Sequence, residues 1–382
     1  MKLRVAAVDR NPDAPGLAEA DITRIVDFAD VDAVLRATRR IKLDGVLTVS
    51  ADRAVPVVAA VAEARGLPGI GTETAHLMTH KVAMRRRLAD AGVPQPRFAA
   101  VRNLAETRRA AEAVGFPAVL KPADSGGQRG VFRVESLDDV DVHLHEALAA
   151  SPTEEAILEE FVEGTELNGI VVARNGETIP LTLSDRMRPP GIGFGVGWIH
   201  VYPPTIPPEQ LALAHEVATR TVHALGLRTG IAFPQLLAAD DGRVVVVECA
   251  ARIPGGQMGD LVRWAVGVDL VDVQLRMALG DTLPDEVVRP QFSRPLAIRF
   301  LTASPGPLTP GRVVRIGSLE PVLAAEGVVQ ADTYLTVGET IRPVRLDGDR
   351  RGYVIATAST NLDALERAEA AARLLDVEVE PA

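Results

Sequence analysis

Lysine is almost missing from this 382-residue chain: of 41 basic residues only Lys2, Lys42, Lys81 and Lys121 are lysines. The skew is what a GC-rich genome produces, yet it draws attention to any lysine kept in the interior. Cysteine is rarer still. The single Cys249 excludes a disulfide framework and any multi-cysteine zinc or iron–sulfur site. Aromatic residues make up 4%, too few for a base-stacking platform. There is no basic excess either. A net charge of −10 argues against a general nucleic-acid binder, which needs positive charge to neutralise phosphates. No apolar run approaches the roughly 18 residues of a membrane span. Asp9 and Arg10 interrupt the stretch where a signal peptide would be apolar, so a cytoplasmic protein without membrane contact is expected.

What is present is 47% hydrophobic residues, ample for two to four domains at about 100–200 residues each. Residues 1–76 alternate strand and helix signals, with strands predicted at Leu3–Asp9 and Asp44–Ser50 and helices at Asp32–Arg40 and Ala54–Arg65. Such alternation predicts a parallel, doubly wound α/β unit, though one short by a strand and a helix at its start. Further helices are predicted at Thr79–Ala91, Ala105–Val114 and Pro207–Leu225, and over most of Asp260–Ala278. Strands are predicted at Ala118–Lys121, Val131–Val134, Ala156–Val162, Asn168–Ala173, Gly230–Ala238 and Arg243–Glu248. Residues 188–198 read as a Gly- and Pro-rich loop and 281–295 as a linker, before a last α+β unit ending in a helix at Leu362–Leu375.

Three segments carry chemistry. In the first, a strand ends in Lys121 and runs into Ser125-Gly126-Gly127-Gln128-Arg129-Gly130. Glycines there let successive backbone N–H groups approach phosphate oxygens, although an ordinary hairpin tip has the same composition. It is neither a Walker A loop nor a dinucleotide fingerprint, and a dehydrogenase is disfavoured for that reason. In the second, four valines precede Glu248 and, four residues on, Arg252. A carboxylate closing a buried strand is placed to hold Mg²⁺, and the guanidinium to stabilise charge on a reacting oxygen, unless both are a surface ion pair. In the third, an apolar strand leads into Glu159-Glu-Phe-Val162 and Glu166. It could offer donors and acceptors to an adenine edge and a carboxylate to ribose hydroxyls, or be a solvated turn.

Taken in order, Lys81, Lys121 with its glycine loop, Glu159–Val162 with Glu166, and Glu248-x-x-x-Arg252 resemble the ATP-grasp superfamily. Residues 311–375, with Asp349-Arg-Arg-Gly-Tyr-Val-Ile355, are similar to the C-terminal domain of the bacterial L-amino-acid ligase branch. The resemblance covers nearly the whole chain. It implies a reduced α/β domain over 1–76 and a two-lobed ATP-grasp domain over 77–290, its small lobe to about 155 and its large lobe from about 156. A C-terminal α+β domain over 291–382 would follow. It implies that Lys81 and Lys121 contact ATP phosphates while Ser125, Gly126, Gly127 and Gly130 close over them. Glu159 and the Val162 backbone would read adenine and Glu166 the ribose. Glu248 and Gln235 would hold Mg²⁺, or Mn²⁺ in its place, and Arg252 would steady an acyl phosphate. The implied reaction is phosphoryl transfer to a carboxylate followed by attack of an amine, which needs no nucleophilic side chain.

Departures from the family pattern are informative. The usual strand reads Glu-x-Asn-x-Arg, but residue 250 is Ala, and Gln235 stands where a second metal glutamate is expected. An amide oxygen can coordinate Mg²⁺ but brings no charge, which points to weaker metal binding or a single tightly held metal. The short N-terminus reflects either a start internal to a longer protein or a reduced domain. Candidate substrate contacts are Arg186, Arg188, His200 and Gly256. Partners are expected to be a small-molecule carboxylate and an amine, with no nucleic acid, and the family implies a homodimer. Two other readings stay open: a carboxyphosphate-forming enzyme, and an ATP-binding protein with little or no catalysis. His143 and His145 lie on a charged stretch and are expected to face solvent, and Cys249 to pack.

Overall fold

The structure is a computed structural model and describes residues 3–127 and 129–381. Gln128, in the glycine loop, lies outside the described residues.

The chain opens with two parallel strands, β1 (Ala6–Asp9) and β2 (Ile22–Ile25). Helix Val55–Arg65 packs against them through Val57 and Val61, meeting Val34 of helix Val31–Thr38. The predicted strand at Asp44–Ser50 does not form. Its backbone leans on the large lobe instead: a Cβ on Gly45 would come within 2.6 Å of the Ala278 carbonyl oxygen. At its other end the Ser50 N–H donates to the Ile253 carbonyl. The first unit is therefore a two-stranded platform docked on the body of the protein.

A four-stranded antiparallel sheet comes next: β3 (Phe98–Val101), β4 (Ala118–Pro122), β5 (Phe132–Val134) and β6 (Ala156–Glu160), in the order β3-β6-β4-β5. Helices Leu104–Val114 and Leu137–Ala149 cover one face, burying Val114, Val140 and Leu144 on Leu120 and Leu158. His143 stacks on Phe132 with ring centroids 4.1 Å apart and takes part in no metal cluster among the described residues.

The largest sheet has eight strands, all antiparallel. Along the chain they are β7 (Gly164–Arg174), β8 (Glu177–Met187), β9 (Ile199–Tyr202), β10 (Gly230–Ala239), β11 (Val244–Ala250) and β12 (Leu296–Phe300). After the short strand β13 (Gly311–Ile316) come β14 (Val328–Thr333), β15 (Thr340–Ile341), β16 (Gly352–Thr357) and β17 (Val377–Glu380). The large sheet runs β11-β10-β7-β8-β9-β12-β16-β14, and β15-β13-β17 form a small sheet of their own. The sheet thus continues across residue 290. No strand was expected at Glu177–Met187, where Pro180 interrupts the alternation of Ile179, Leu181 and Leu183 with polar residues.

Both faces of the central strands are covered, which is why they read as apolar runs. Helix Pro208–Ala224 covers one face, packing on Leu167, Val171, Leu236 and Val246. The other face takes two helices, Met258–Val266 and Leu270–Leu279, where one long helix was predicted; Gly267 in the left-handed region ends the first. They bury Ile170, Ile231, Phe233 and Ala250, but stop short of the sheet's far end. The residues continuing this second face are polar, and the candidate site lies there.

Candidate active site

Period-two alternation sets which side chains meet. Gln235 on β10 lies directly opposite Glu248 on β11 and, on its other side, opposite Asn168 on β7. Asn168 in turn lies opposite Ser184. One row further out, Glu166 faces Leu237, and Arg186 pairs with His200 of β9. Paired residues project to the same face. The sheet therefore presents an inner row, Glu248–Gln235–Asn168–Ser184, and an outer row, Leu237–Glu166–Arg186–His200. A bulge lies between Gln235 and Leu236, leaving Val247 without a register partner.

The four-stranded sheet closes over these rows. Lys81 opens helix Lys81–Asp90, and its backbone N–H donates to Ala123 at the end of β4. Its ammonium donates to the Ser125 carbonyl at 2.9 Å and lies 3.7 Å from Glu248. One helical turn on, Arg85 is almost wholly buried. It grips Glu159 with Nε at 2.8 Å and Nη2 at 3.0 Å, and also donates to the carbonyls of Val246 and Val247 at the β11 bulge. Lys121 completes the triad, 2.8 Å from Glu159. Burial alone would raise the Glu159 carboxyl, but Arg85 and Lys121 overcome it and hold it at about 2. Burial lowers the Lys121 ammonium, with Glu159 opposing.

The Glu159 carboxylate, expected to read adenine, is engaged by Arg85 and Lys121. Val162 is buried beside Leu237, Ala239 and Val245, an apolar seat at the junction of the lobes. Glu166 is engaged as well, with Arg186 on one oxygen and Arg188 at 3.0 Å on the other, and remains partly exposed.

Arg252 forms a bidentate pair with Asp52 of the N-terminal unit, with Nη2 at 2.8 Å. Gly126 comes down on the same carboxylate: a Cβ there would sit 3.1 Å from Asp52 Oδ2. Gly127 and Gly130 both take positive φ, as the loop's turn requires. Gly256, also at positive φ, leaves space that a Cβ would fill against Arg350 (3.3 Å), Phe300 and His200. Arg350 lies over the Phe300 ring at 4.2 Å and donates to the Gly197 carbonyl. Arg186, His200 and Arg350 thus converge around Gly197 and Gly256, with Arg188 held nearby through Glu166.

His200 is buried and its Nδ1 has no hydrogen-bond partner. Burial first, then Arg186 and Arg350, push its pKa from 6.5 down to about 3. The neutral ring therefore favours the folded state. Its contribution is complete above the unfolded pKa and is lost as pH falls towards the folded one. The stability gap between wild type and His200→Asn should narrow by about 1.4 kcal/mol per pH unit below the ordinary histidine pKa, as read from urea midpoints. Cys249 is fully buried with its thiol pushed up, as a packing residue should be.

Sequence reasoning missed Arg85, Asp52, Asn168, Leu237 and Arg350. Each makes its decisive contact with residues far away in sequence. Only Arg350 left a signal, within the Asp349–Ile355 segment that resembles the ligase C-terminus.

Oxygen donors suited to Mg²⁺ are present: the Glu248 carboxylate and, facing it, the Gln235 amide. Among the described residues no three His, Cys, Asp or Glu side chains group together to offer a more acidic site.

A lysine pair beside a glycine loop, a carboxylate closing β11, and an apolar seat between two lobes are the frame of an ATP-grasp ligase, the class to which the family match assigns the chain. Residues 80–286, more than half of the chain, match the family described as carbamoyl-phosphate synthase L chain, ATP binding domain, and the chain belongs to that ATP-grasp family. Residues 299–380 match L-amino acid ligase C-terminal domain 2. A formate-dependent phosphoribosylglycinamide formyltransferase of Ignicoccus hospitalis is 29% identical, over 98% of this chain and 90% of that protein. The L-amino acid ligase of Bacillus licheniformis superposes with a TM-score of 0.82 at 21% identity, covering 99% of this chain and 93% of that one. Phosphoribosylglycinamide synthetase of Anaerococcus prevotii gives 0.79 at 17%, over 99% and 93%. At such identities the superpositions speak for the fold. The protein is an ATP-dependent ligase of an ATP-binding family, and no helix among the described residues is long and apolar enough to cross a membrane.

Proposed function

We propose that the chain joins a small carboxylate to an amine through an acyl phosphate, releasing ADP and phosphate. The observation that carries this reading is the convergence of Arg186, Arg350 and a neutral His200 around Gly197 and Gly256, on the same face of the sheet that carries Glu248. Cations there suit a substrate carboxylate, while Lys81 and Glu248, further along the same sheet face, suit phosphate and its metal. Lys81 and Lys121 come from different elements and would hold the ATP phosphates from two sides, with Ser125, Gly126, Gly127 and Gly130 closing above. Adenine would sit on Val162 and Leu237. Glu166 would meet the ribose while holding Arg186 and Arg188 in place. When bound at Glu248 and Gln235, Mg²⁺ would supply charge neutralisation at the phosphates. Arg252 would stabilise negative charge on the acyl phosphate, and the closed loop would keep water from it.

The domain limits 1–76, 77–290 and 291–382 belong to the same reading, as do a homodimer and a cytoplasmic setting. One assay tests it: phosphate release and product masses with ATP, Mg²⁺ and pools of amino acids, with separate arms for formate and bicarbonate. Release that requires a carboxylate–amine pair supports the reading. Release with bicarbonate alone would mark a carboxyphosphate-forming enzyme, and nucleotide binding without turnover a non-catalytic protein. Arg350→Gln should raise the KM for the carboxylate about tenfold or more and leave kcat near wild type, because it removes a charge-assisted bond made before and during reaction.

A further inference from the structure

We infer that Asn168 is an oxygen donor to the metal, filling the place that Ala250 leaves empty. The inference rests on the ATP site proposed above and adds a residue to it. Asn168 is 3% exposed, and its Oδ1 accepts no hydrogen bond. Its Nδ2 touches only the Met258 sulfur, at 4.0 Å. Buried amide carbonyls are nearly always partnered, so one left open inside a well-paired sheet needs an explanation.

The register supplies one. Asn168 stands in the same row as Gln235 and Glu248, on the same face, with Gln235 between them. Towards the sheet's interior the face turns apolar, with Ile170, Phe233 and Ala250 packed under Met258, so no other donor can come from below. From above comes Lys81, whose ammonium lies 3.7 Å from Glu248 and marks the side from which phosphate would approach. A cation over this row would meet one carboxylate and two amide oxygens, and would complete its shell with phosphate oxygens and water, the pattern Mg²⁺ favours. In the family pattern an asparagine on β11 provides an amide oxygen at residue 250. Here the amide comes from β7, two strands away, on the other side of Gln235.

The protein side of this site carries a single negative charge, which makes metal binding depend strongly on the nucleotide. The test is Mn²⁺ binding followed by electron paramagnetic resonance, with the full chain, in the presence and absence of a non-hydrolysable ATP analogue. Wild type should bind Mn²⁺ tightly only with the analogue. Asn168→Leu, similar in volume, should weaken that binding at least about tenfold, since loss even of an outer-sphere partner costs this much. Asn168→Asp should tighten Mn²⁺ binding, most visibly without nucleotide, and guards against a Leu variant that fails to fold. Mn²⁺ binding equal to wild type in both variants would overturn the assignment of Asn168 alone. Failure of wild type to bind Mn²⁺ with the analogue would overturn the nucleotide site itself.

Discussion

Lys121→Ala should lower carboxylate-dependent phosphate release about 10²–10³-fold, the loss seen when one preorganised charge partner is removed from a water-excluded site. The fold should survive. Glu159 keeps the two-pronged grip of Arg85, at 2.8 and 3.0 Å, so no charge is left buried alone. Arg at this position should not restore activity. Its fork would compete with Arg85 for the same carboxylate, whereas a compact ammonium bonds Glu159 and keeps donors free. Measuring phosphate release alongside the urea midpoint separates the two effects: a lost rate with an unchanged midpoint is expected. Wild-type turnover in Lys121→Ala would remove the lysine from the phosphate site.

Arg85→Met is expected to do the reverse, with a large loss of stability. The side chain joins the Glu159 carboxylate on β6 to the Val246 and Val247 carbonyls on β11. Removing it leaves a buried carboxylate with one cation in place of two, and strips two carbonyls of their donor. Breaking a buried ion pair from one side costs about 3–5 kcal/mol. The pH dependence should change as well. In wild type Glu159, held at about 2, stabilises the fold fully above the ordinary glutamate range and loses this only as pH falls towards 2. Without Arg85 the folded-state pKa rises, and acid unfolding should begin at higher pH. Urea midpoints at several pH values check both points, and a midpoint equal to wild type would show that Arg85 does not join the lobes.

These two side chains also show what the sequence could and could not reveal. Lys121, Glu248 and Arg252 were legible because each sits in a short segment whose local pattern carries the meaning: a strand end, a glycine turn, a valine run. Their order along the chain pointed to the fold. Arg85 lies four residues from Lys81, on a helix rich in arginine, and nothing local separates it from Arg86 or Arg87. Its importance comes from partners 74 and 161 residues away. Asp52, 200 residues from Arg252, was hidden in the same way. The charge partners of Glu159 were not legible, because they arrive from other elements. The absent strand at Asp44–Ser50 has a tertiary cause too: contacts with Ile253 and Ala278 take the place of a sheet partner.

The uninterrupted hydrogen bonding from β9 to β12 has a consequence for anyone who cuts this gene. A protein ended near residue 290 would not be a catalytic core freed of an appendage. It would expose the naked flank of β9, with Ile199 and Val201 laid open, an invitation to intermolecular pairing. Exchanging specificity between relatives by swapping C-terminal segments should therefore succeed only when the graft brings a strand that mates with β9 in register.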